Sequence, residues 1–437
     1  MTPAANWSAL FGLFFFDFTR PSLALFQELV TAWTLCLGRR TVTHLVTLAD
    51  QRDPRAHDAY HRFLRVGRWT TAVLWRRLTR MLVERFAATG RIGLDLDDTL
   101  FHKSGRKVEG GGWWRDAVRS TGKKTVTAFG LNLVLLTLRV VPPWGGMPLA
   151  LPVNLRLHRK GEKSLMALAR EMIEEFAGWF PLRELDLAAD GFYAPLAGDL
   201  PAKVFLTSRM RRDAALYAPP PPRNKGQRGP SRKKGQRLPT PEQMALDPAG
   251  WRRVQTNERG KARERLVKVV DLLWYRVSPR RLVRLVISRD PAGKERDDFF
   301  FTTDLQAAPE TVIGAYAGRW AIEETFKNTK QHLGGEHPQS WKGQGPERAA
   351  MLSFWIYSAV WYWYIESYGS QATWWTRPWY PKKSRPSFID ALAALRRCLW
   401  RGKIICAFGK MDGDGNIVGK VEAKITETLV EALANAA

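Results

Sequence analysis

The rhythm of apolar and polar positions changes twice along the chain. Over residues 1–90, apolar residues recur at helical spacing between basic ones, as in RVGRWTTAVLWRRLTRMLVERFAA. That period predicts amphipathic helices, with Pro21 and Pro54 as punctuation. The apolar run near the start follows no basic segment and precedes no small-residue cleavage site. It reads as a buried helix or an arm, not a signal peptide. From residue 91 the pattern becomes that of strands: RIGLDLDD, TVTAFGLNLVLLTLRVV and MPLALPVNLRLH, rich in β-forming residues. GEKSLMALAREMIEEFAGWF then has helical periodicity, and LRELDLAADGFYA and KVFLTSRM predict two further strands. Strands, a helix and strands again make an α/β layer pattern.

Residues 211–265 break this order. APPPPRNKGQRGPSRKKGQRLPTP is dense in Pro, Gly and cations, a composition that cannot build a core, and it is expected as a mobile loop. VKVVDLLWYRV, RLVRLVISRD and DDFFFTTDL resume the strand pattern. A long helix is expected from about residue 309. AAMLSFWIYSAVWYWYI (349–365) follows, at the short limit for a membrane span and with Ser353 and Ser358 inside, so it is expected as a core helix. Residues 371–437 predict a basic loop, a helix and an irregular tail. No internal repeat stands out.

Composition narrows the choice of partner. Hydrophobic residues make up 45% of the 437, enough for a folded core. Lys and Arg number 68 against 42 Asp and Glu, a net charge of +26. So large a charge strains a compact state by self-repulsion and points to a polyanion, nucleic acid before an anionic membrane surface. Cys36, Cys398 and Cys406 form neither a disulfide framework nor a zinc spacing, which fits a reducing cytoplasm. His102, His158 and His337 are likewise scattered.

The densest chemistry lies in ETVIGAYAGRWAIEETFKNTKQHLGG. On one continuous helix, Tyr316, Arg319, Glu323 and Lys330 would fall within an arc of roughly 60°, beside an apolar stripe of Ile322, Phe326 and Leu333. A carboxylate flanked by cations suits a metal and a phosphate together; a surface helix laced with ion pairs has the same look.

Tyr, Arg, Glu and Lys at these spacings resemble the Y-R-E-K signature of a group of bacterial insertion-sequence transposases of the DDE superfamily. LDDTL resembles the group's first-strand motif and AADGFY its second, an Asp closely followed by an aromatic. The resemblance spans about 91–335. It implies a ribonuclease-H-like mixed sheet flanked by helices, with a β-rich insertion at about 211–305. A helical domain at 1–90, a candidate for DNA binding, would precede it and a helical region with a tail at 336–437 would follow. It implies a catalytic and metal-binding triad of Asp97, Asp190 and Glu323, with Arg319, Lys330 and Tyr316 contacting DNA phosphates. The implied cofactor is a pair of Mg²⁺ ions, with Mn²⁺ as a substitute. The implied partners are the element's terminal inverted repeats and target double-stranded DNA, met by a homodimer in the nucleoid-associated cytoplasm and not at a membrane. Release of the element through hairpin ends is a further expectation from the group.

Two features stay open on the residues alone. DLDDT offers Asp95, Asp97 and Asp98; the group's pattern, an Asp two residues before the Thr, selects Asp97, while alternation puts Asp95 and Asp97 on one face and Asp98 on the other. DLDDTL also resembles the first motif of haloacid-dehalogenase-type phosphatases, with Asp95 as nucleophile and Asp97 as general acid, and FLTSR resembles their second. That alternative needs a later strand ending in paired Asp residues, for which DGDG (412–415) is a poor match, and leaves Glu323 and the net charge unexplained. A non-catalytic DNA-binding descendant of a transposase is the third reading. Trp113 and Trp114 are candidates for stacking on flipped bases.

Overall fold

The computed structural model describes residues 3–49, 55–222, 230–376, 378–408 and 420–435. The N-terminal stretch is helical as the periodicity predicts: α1 (Pro3–Gly12), α2 (Arg20–Leu35), α3 (Val42–Thr47), α4 (His57–Val66) and α5 (Thr71–Phe86). Next come β1 (Ile92–His102), β2 (Gly112–Arg115), β3 (Thr127–Val140), β4 (Leu149–His158), α6 (Leu165–Trp179), β5 (Leu185–Ala189) and β6 (Val204–Arg209). α7 (Pro241–Leu246), β7 (Arg252–Glu258), β8 (Lys261–Leu272), β9 (Val283–Arg289) and β10 (Asp298–Thr302) complete the strand region. The remainder is α8 (Pro309–Gly318), α9 (Ala321–Gln331), α10 (Gly345–Tyr368), α11 (Phe388–Phe408) and α12 (Lys420–Asn435).

Among the described residues, ten strands form one mixed sheet. β3 lies between β4 and β1, and the sheet continues β1-β5-β6-β10-β9-β8-β7, with β2 on the first residues of β3. The pairs β1–β5 and β5–β6 are parallel, and the pairs around them antiparallel. This is the mixed, helix-flanked sheet of a ribonuclease-H-like fold. The interior strand β3 is almost wholly buried, which is why its sequence reads as an unbroken apolar run and not as an alternation. The apolar segment at 349–365 is apolar all round because α10 is buried all round. It touches α1, α4, α5 and β4, and Trp355 meets Phe11, Phe14 and Phe26 at ring distances of 6.5, 5.5 and 5.2 Å. No helix among the described residues is long and apolar enough to cross a membrane.

The structure corrects four expectations. Residues 211–265 are not one loop: α7 carries a Thr240–Gln243 capping box, and β7 pairs with the start of β8. Their charged sequence hid the strands. This hairpin is the sheet edge, where ion pairs such as Arg253–Glu264 and Arg265–Glu258 replace apolar alternation. Residues 223–229 lie outside the described residues, as does DGDG at 412–415. Second, the helix expected from 309 is two helices. At the joint, Trp320 N donates to Ala317 O, Ile322 N to Arg319 O and Glu323 N to Trp320 O, a tightened turn that re-aims α9. The buried Gly318 packs there against the Arg139 side chain. Tyr316, Arg319, Glu323 and Lys330 therefore do not share one helical face. Third, the tail is helical over α12, which Arg397–Glu431 and Arg401–Glu427 tie to α11. Fourth, the short strand β2 was not foreseen.

Arg348 of α10 binds the N-terminal helices to the sheet side of the molecule. Its guanidinium donates to the carbonyls of Phe63 (3.3 Å), Leu64 (3.1 Å), Gly67 (2.9 Å) and Trp69, and stacks on the Trp69 ring at 4.1 Å. Arg348→Leu should destabilise the protein by roughly 2–4 kcal/mol, since it leaves several buried carbonyls unsatisfied; the shift of the urea unfolding midpoint measures it.

Candidate active site

Strand register assembles the first half of the site. β1 and β5 run parallel with Leu96 opposite Ala189, so the next residues, Asp97 and Asp190, stand at neighbouring positions. β5 ends there. Asp190 caps the 3-10 turn Gly191–Gly198, its carboxylate accepting from Phe192 N at 3.0 Å, and Ser208 of β6 donates to its carbonyl at 2.7 Å. The same turn sends the buried Tyr193 back to β1, where its hydroxyl donates to Asp98 Oδ1 at 3.0 Å.

The second half arrives through the α8–α9 joint. α8 packs over β7 and also over β5, β6, β9 and β10, and α9 over β1 and β4, so the joint lies between the insertion-side strands and the strand that carries Asp97. Arg319 is only 7% exposed. Its Nη1 donates to Asp97 Oδ2 at 2.8 Å and its Nη2 to Glu323 Oε1 at 3.5 Å. Its Nε is buried without a hydrogen-bond partner among the described residues. Asp97 of β1 and Glu323 of the first turn of α9 are thus bridged by one guanidinium, with Asp190 just past the end of β5 beside Asp97.

The electrostatics follow from that crowding. Burial raises the Asp97 carboxyl; Arg319 opposes the rise, Asp190 and Asp98 add to it, and the group ends at about 7. Burial also raises Asp98, against the Tyr193 hydrogen bond. Glu323 is raised by burial and pulled down by Arg319 and Arg259. These are carboxylates short of positive charge.

Other sequence candidates are placed unevenly. The Tyr316 ring lies 4.9 Å from Phe300, with the Arg319 and Arg209 guanidinium carbons 5.4 and 5.7 Å from its centre. Lys330 is not with them: it lies near Phe101, in the field of Glu336 and Asp116. Asp95 is fully buried and belongs to Arg139 of β3, whose Nε reaches its two oxygens at 3.1 and 3.3 Å. Trp113 is half-exposed on β2, whereas Trp114 packs on His158 at 4.6 Å. His102 meets Asp116 and Glu336 at 2.9 and 3.2 Å. Sequence reasoning missed Tyr193, although it stands inside the Asp190 motif. It also missed Trp320 and Arg259, which nothing in their local sequence marks.

Carboxylate oxygens suit a hard divalent cation in kind. In arrangement they stop short of it: among the described residues, no three His, Cys, Asp or Glu side chains group closely enough to hold one ion. Asp97 and Asp190 form the near pair. Asp97 Oδ2 and Glu323 Oε1, the oxygens that would complete a shell, are engaged by Arg319.

A ribonuclease-H-like sheet with a carboxylate midway along β1 and another just past the end of the parallel strand β5 defines a nuclease-type scaffold. A family profile described as "DDE superfamily endonuclease" matches residues 14–269, and the chain belongs to that family. The match includes Asp97 and Asp190 and ends within β8, before Glu323. No curated protein matches the chain.

The raised Asp97 carboxyl has a testable cost. The folded protein holds this proton more tightly than the unfolded chain, so the group takes stability away as pH rises from about 4 to about 7, and the full cost stands above 7. In metal-free protein, Asp97→Asn should therefore be neutral near pH 4 and stabilising by roughly 2–4 kcal/mol at pH 8. Paired denaturant titrations of the two proteins across that range check it; a difference independent of pH would contradict it.

Proposed function

We propose that this protein is the transposase of a bacterial insertion sequence: it binds the terminal inverted repeats, cleaves the DNA there, and joins the freed 3′ hydroxyls to target DNA. The observation that carries the reading is the Arg319 bridge between Asp97 and Glu323, with Asp190 at the position beside Asp97, on this scaffold. The net charge of +26 supports a nucleic-acid partner. So does the basic cleft beside the site, about 370 Å³, lined by Arg209, Arg259, Lys261 and Arg263 together with Tyr316 and Trp320.

In this reading residues 91–335 are the catalytic unit, with the strands from about 252 to 302 as its insertion, and residues 1–90 and 336–437 as helical flanks. The protein acts as a homodimer on DNA ends. Asp97, Asp190 and Glu323 would hold two Mg²⁺ ions, or Mn²⁺ in their place. Bound divalent metal supplies an activated water or hydroxyl and charge for the leaving oxygen. The chain's own part is to hold these oxygens in a dry, fixed frame. Asp97 is fixed by its position in the sheet interior and by the Asp98 amide, which donates to its Oδ1 at 2.9 Å. Arg319, which holds Asp97 Oδ2 and Glu323 Oε1, keeps its Nε unused and would be placed to take a phosphate oxygen. Tyr316 stands between Arg319 and Arg209 and steadies both. The phosphatase alternative requires an available nucleophile at Asp95, which is buried against Arg139.

Asp97→Ala, Asp190→Ala and Glu323→Ala should each lower Mg²⁺-dependent DNA cleavage by 10³-fold or more, on the order expected for loss of a metal ligand, and leave end binding in gel-shift assays largely intact. Cleavage by Asp190→Ala at a rate near wild type would refute the triad. Chelation with EDTA should abolish cleavage, and added Mg²⁺ restore it.

A further inference from the structure

The tip of the β7–β8 hairpin is strained, and the strain is aimed. Its last strand pair is Glu258 with Lys261, which leaves Arg259 and Gly260 as a two-residue turn. Both have positive φ, 55° and 79°, as a type I′ turn requires. Among the described residues Arg259 is the one non-glycine in that region. An L side chain is disfavoured there, and Asn, Asp or Gly is the ordinary choice for the position.

The neighbours fix where this side chain goes. Gly260 docks on the β3–β4 loop so closely that a Cβ on it would stand 2.2 Å from the Gly146 carbonyl carbon. The hairpin tip therefore cannot slide or roll. Held this way, the Arg259 guanidinium lies 4.1 Å over the ring of Trp320, which is 40% exposed at the α8–α9 joint. Trp320 stands between Arg319 and Glu323 in the chain, and the Arg259 charge acts on Glu323. Other arginines of the same cleft are spent on carboxylates: Arg209 on Asp298, Arg263 on Glu295, Arg265 on Glu258 and Glu295. Arg259 has no ion pair among the described residues and is exposed.

Resting on the transposase reading above, we infer that Arg259 is a DNA-phosphate-binding residue of the cleavage site, delivered by the insertion hairpin and oriented by Trp320. A backbone conformation that the residue type resists, kept beside an acidic centre, has its physical explanation in a ligand contact. Stacking on Trp320 holds the guanidinium planar and in reserve without neutralising it. The phosphodiester it meets is the one entering the cleft next to Glu323, so its loss should act on positioning at the cut more than on overall affinity.

The substitution that separates function from structure is Arg259→Gly, because glycine accepts the positive φ. The substrate is a supercoiled plasmid carrying this reading frame with its native flanking DNA, with Mg²⁺ present. Arg259→Gly should leave Tm within about 2 °C of wild type or above it. Nicking at saturating protein should fall about tenfold or more, and Arg259→Lys should recover part of it. The slope of log binding constant against log salt, measured on a duplex from the flanks, should shrink by about one phosphate contact. Wild-type nicking and an unchanged salt slope in Arg259→Gly would overturn the inference. So would a Tm fall of more than about 5 °C with a proportionate loss of binding, the mark of a structural role. If wild type and Glu323→Ala nick the plasmid alike, the transposase reading fails, and the salt slope then judges the Arg259 contact by itself.

Discussion

The buried guanidinium of Arg319 is the contact on which the site is organised. Asp97, Asp98 and Asp190 are forced together by the sheet, and like charges in a partly dehydrated pocket repel by amounts comparable with a small protein's whole stability. One cation placed between Asp97 and Glu323 makes the arrangement tolerable without neutralising it; burial first, and the neighbouring Asp190 and Asp98 after it, still hold the Asp97 carboxyl up at about 7. A fully compensated cluster would have no reason to take up a metal ion. A cluster with no internal cation would burden the fold.

Two aspartates of one strand face differ according to which arginine answers them. Asp95 and Asp97 point to the same side of β1. Arg139 reaches the fully buried Asp95 from the adjacent strand β3 and also donates to Leu94 O at 3.1 Å. Arg319 reaches Asp97 from a helix joint, which can move without breaking the sheet. The two arginines meet at Gly318: a Cβ there would come within 3.3 Å of the Arg139 side chain. Gly318 is thus where the strand pair and the helix joint fit together, and it is also where the helix loses its regular hydrogen bonding. The kink and the structural ion pair have one cause.

Much of this was legible in the order of residues. The strands β1 and β5 are interior, so their apolar residues and the carboxylates among or just after them stand out, and the buried helix α10 declares itself by being apolar on every side. Legibility failed where tertiary contacts override local pattern. β7 and β8 at the sheet edge substitute cross-strand ion pairs for apolar alternation, so their sequence resembles a solvated loop. The α8–α9 segment keeps a helical period through the joint, because the break changes direction and not composition; one helical face for Tyr316, Arg319, Glu323 and Lys330 was therefore read where two helices stand, and Lys330 falls beside Phe101 instead. Arg259 is invisible locally, since its importance comes from Gly146 and Trp320, far away along the chain.

Strands β7–β10 matter to the site because they are continuous with the sheet. β10 pairs with β6, β9 with β10, and β8 with β9, so the hairpin at the far edge is placed by an unbroken ladder from the strands that hold the carboxylates. Its tip then folds back onto the β3–β4 loop, and the path closes on itself over the α8–α9 joint. A hinged insertion would leave the position of its tip to thermal motion. A ladder locked at its far end by two glycine backbones transmits position instead, which allows a residue at the sheet edge to act within ångströms of Glu323.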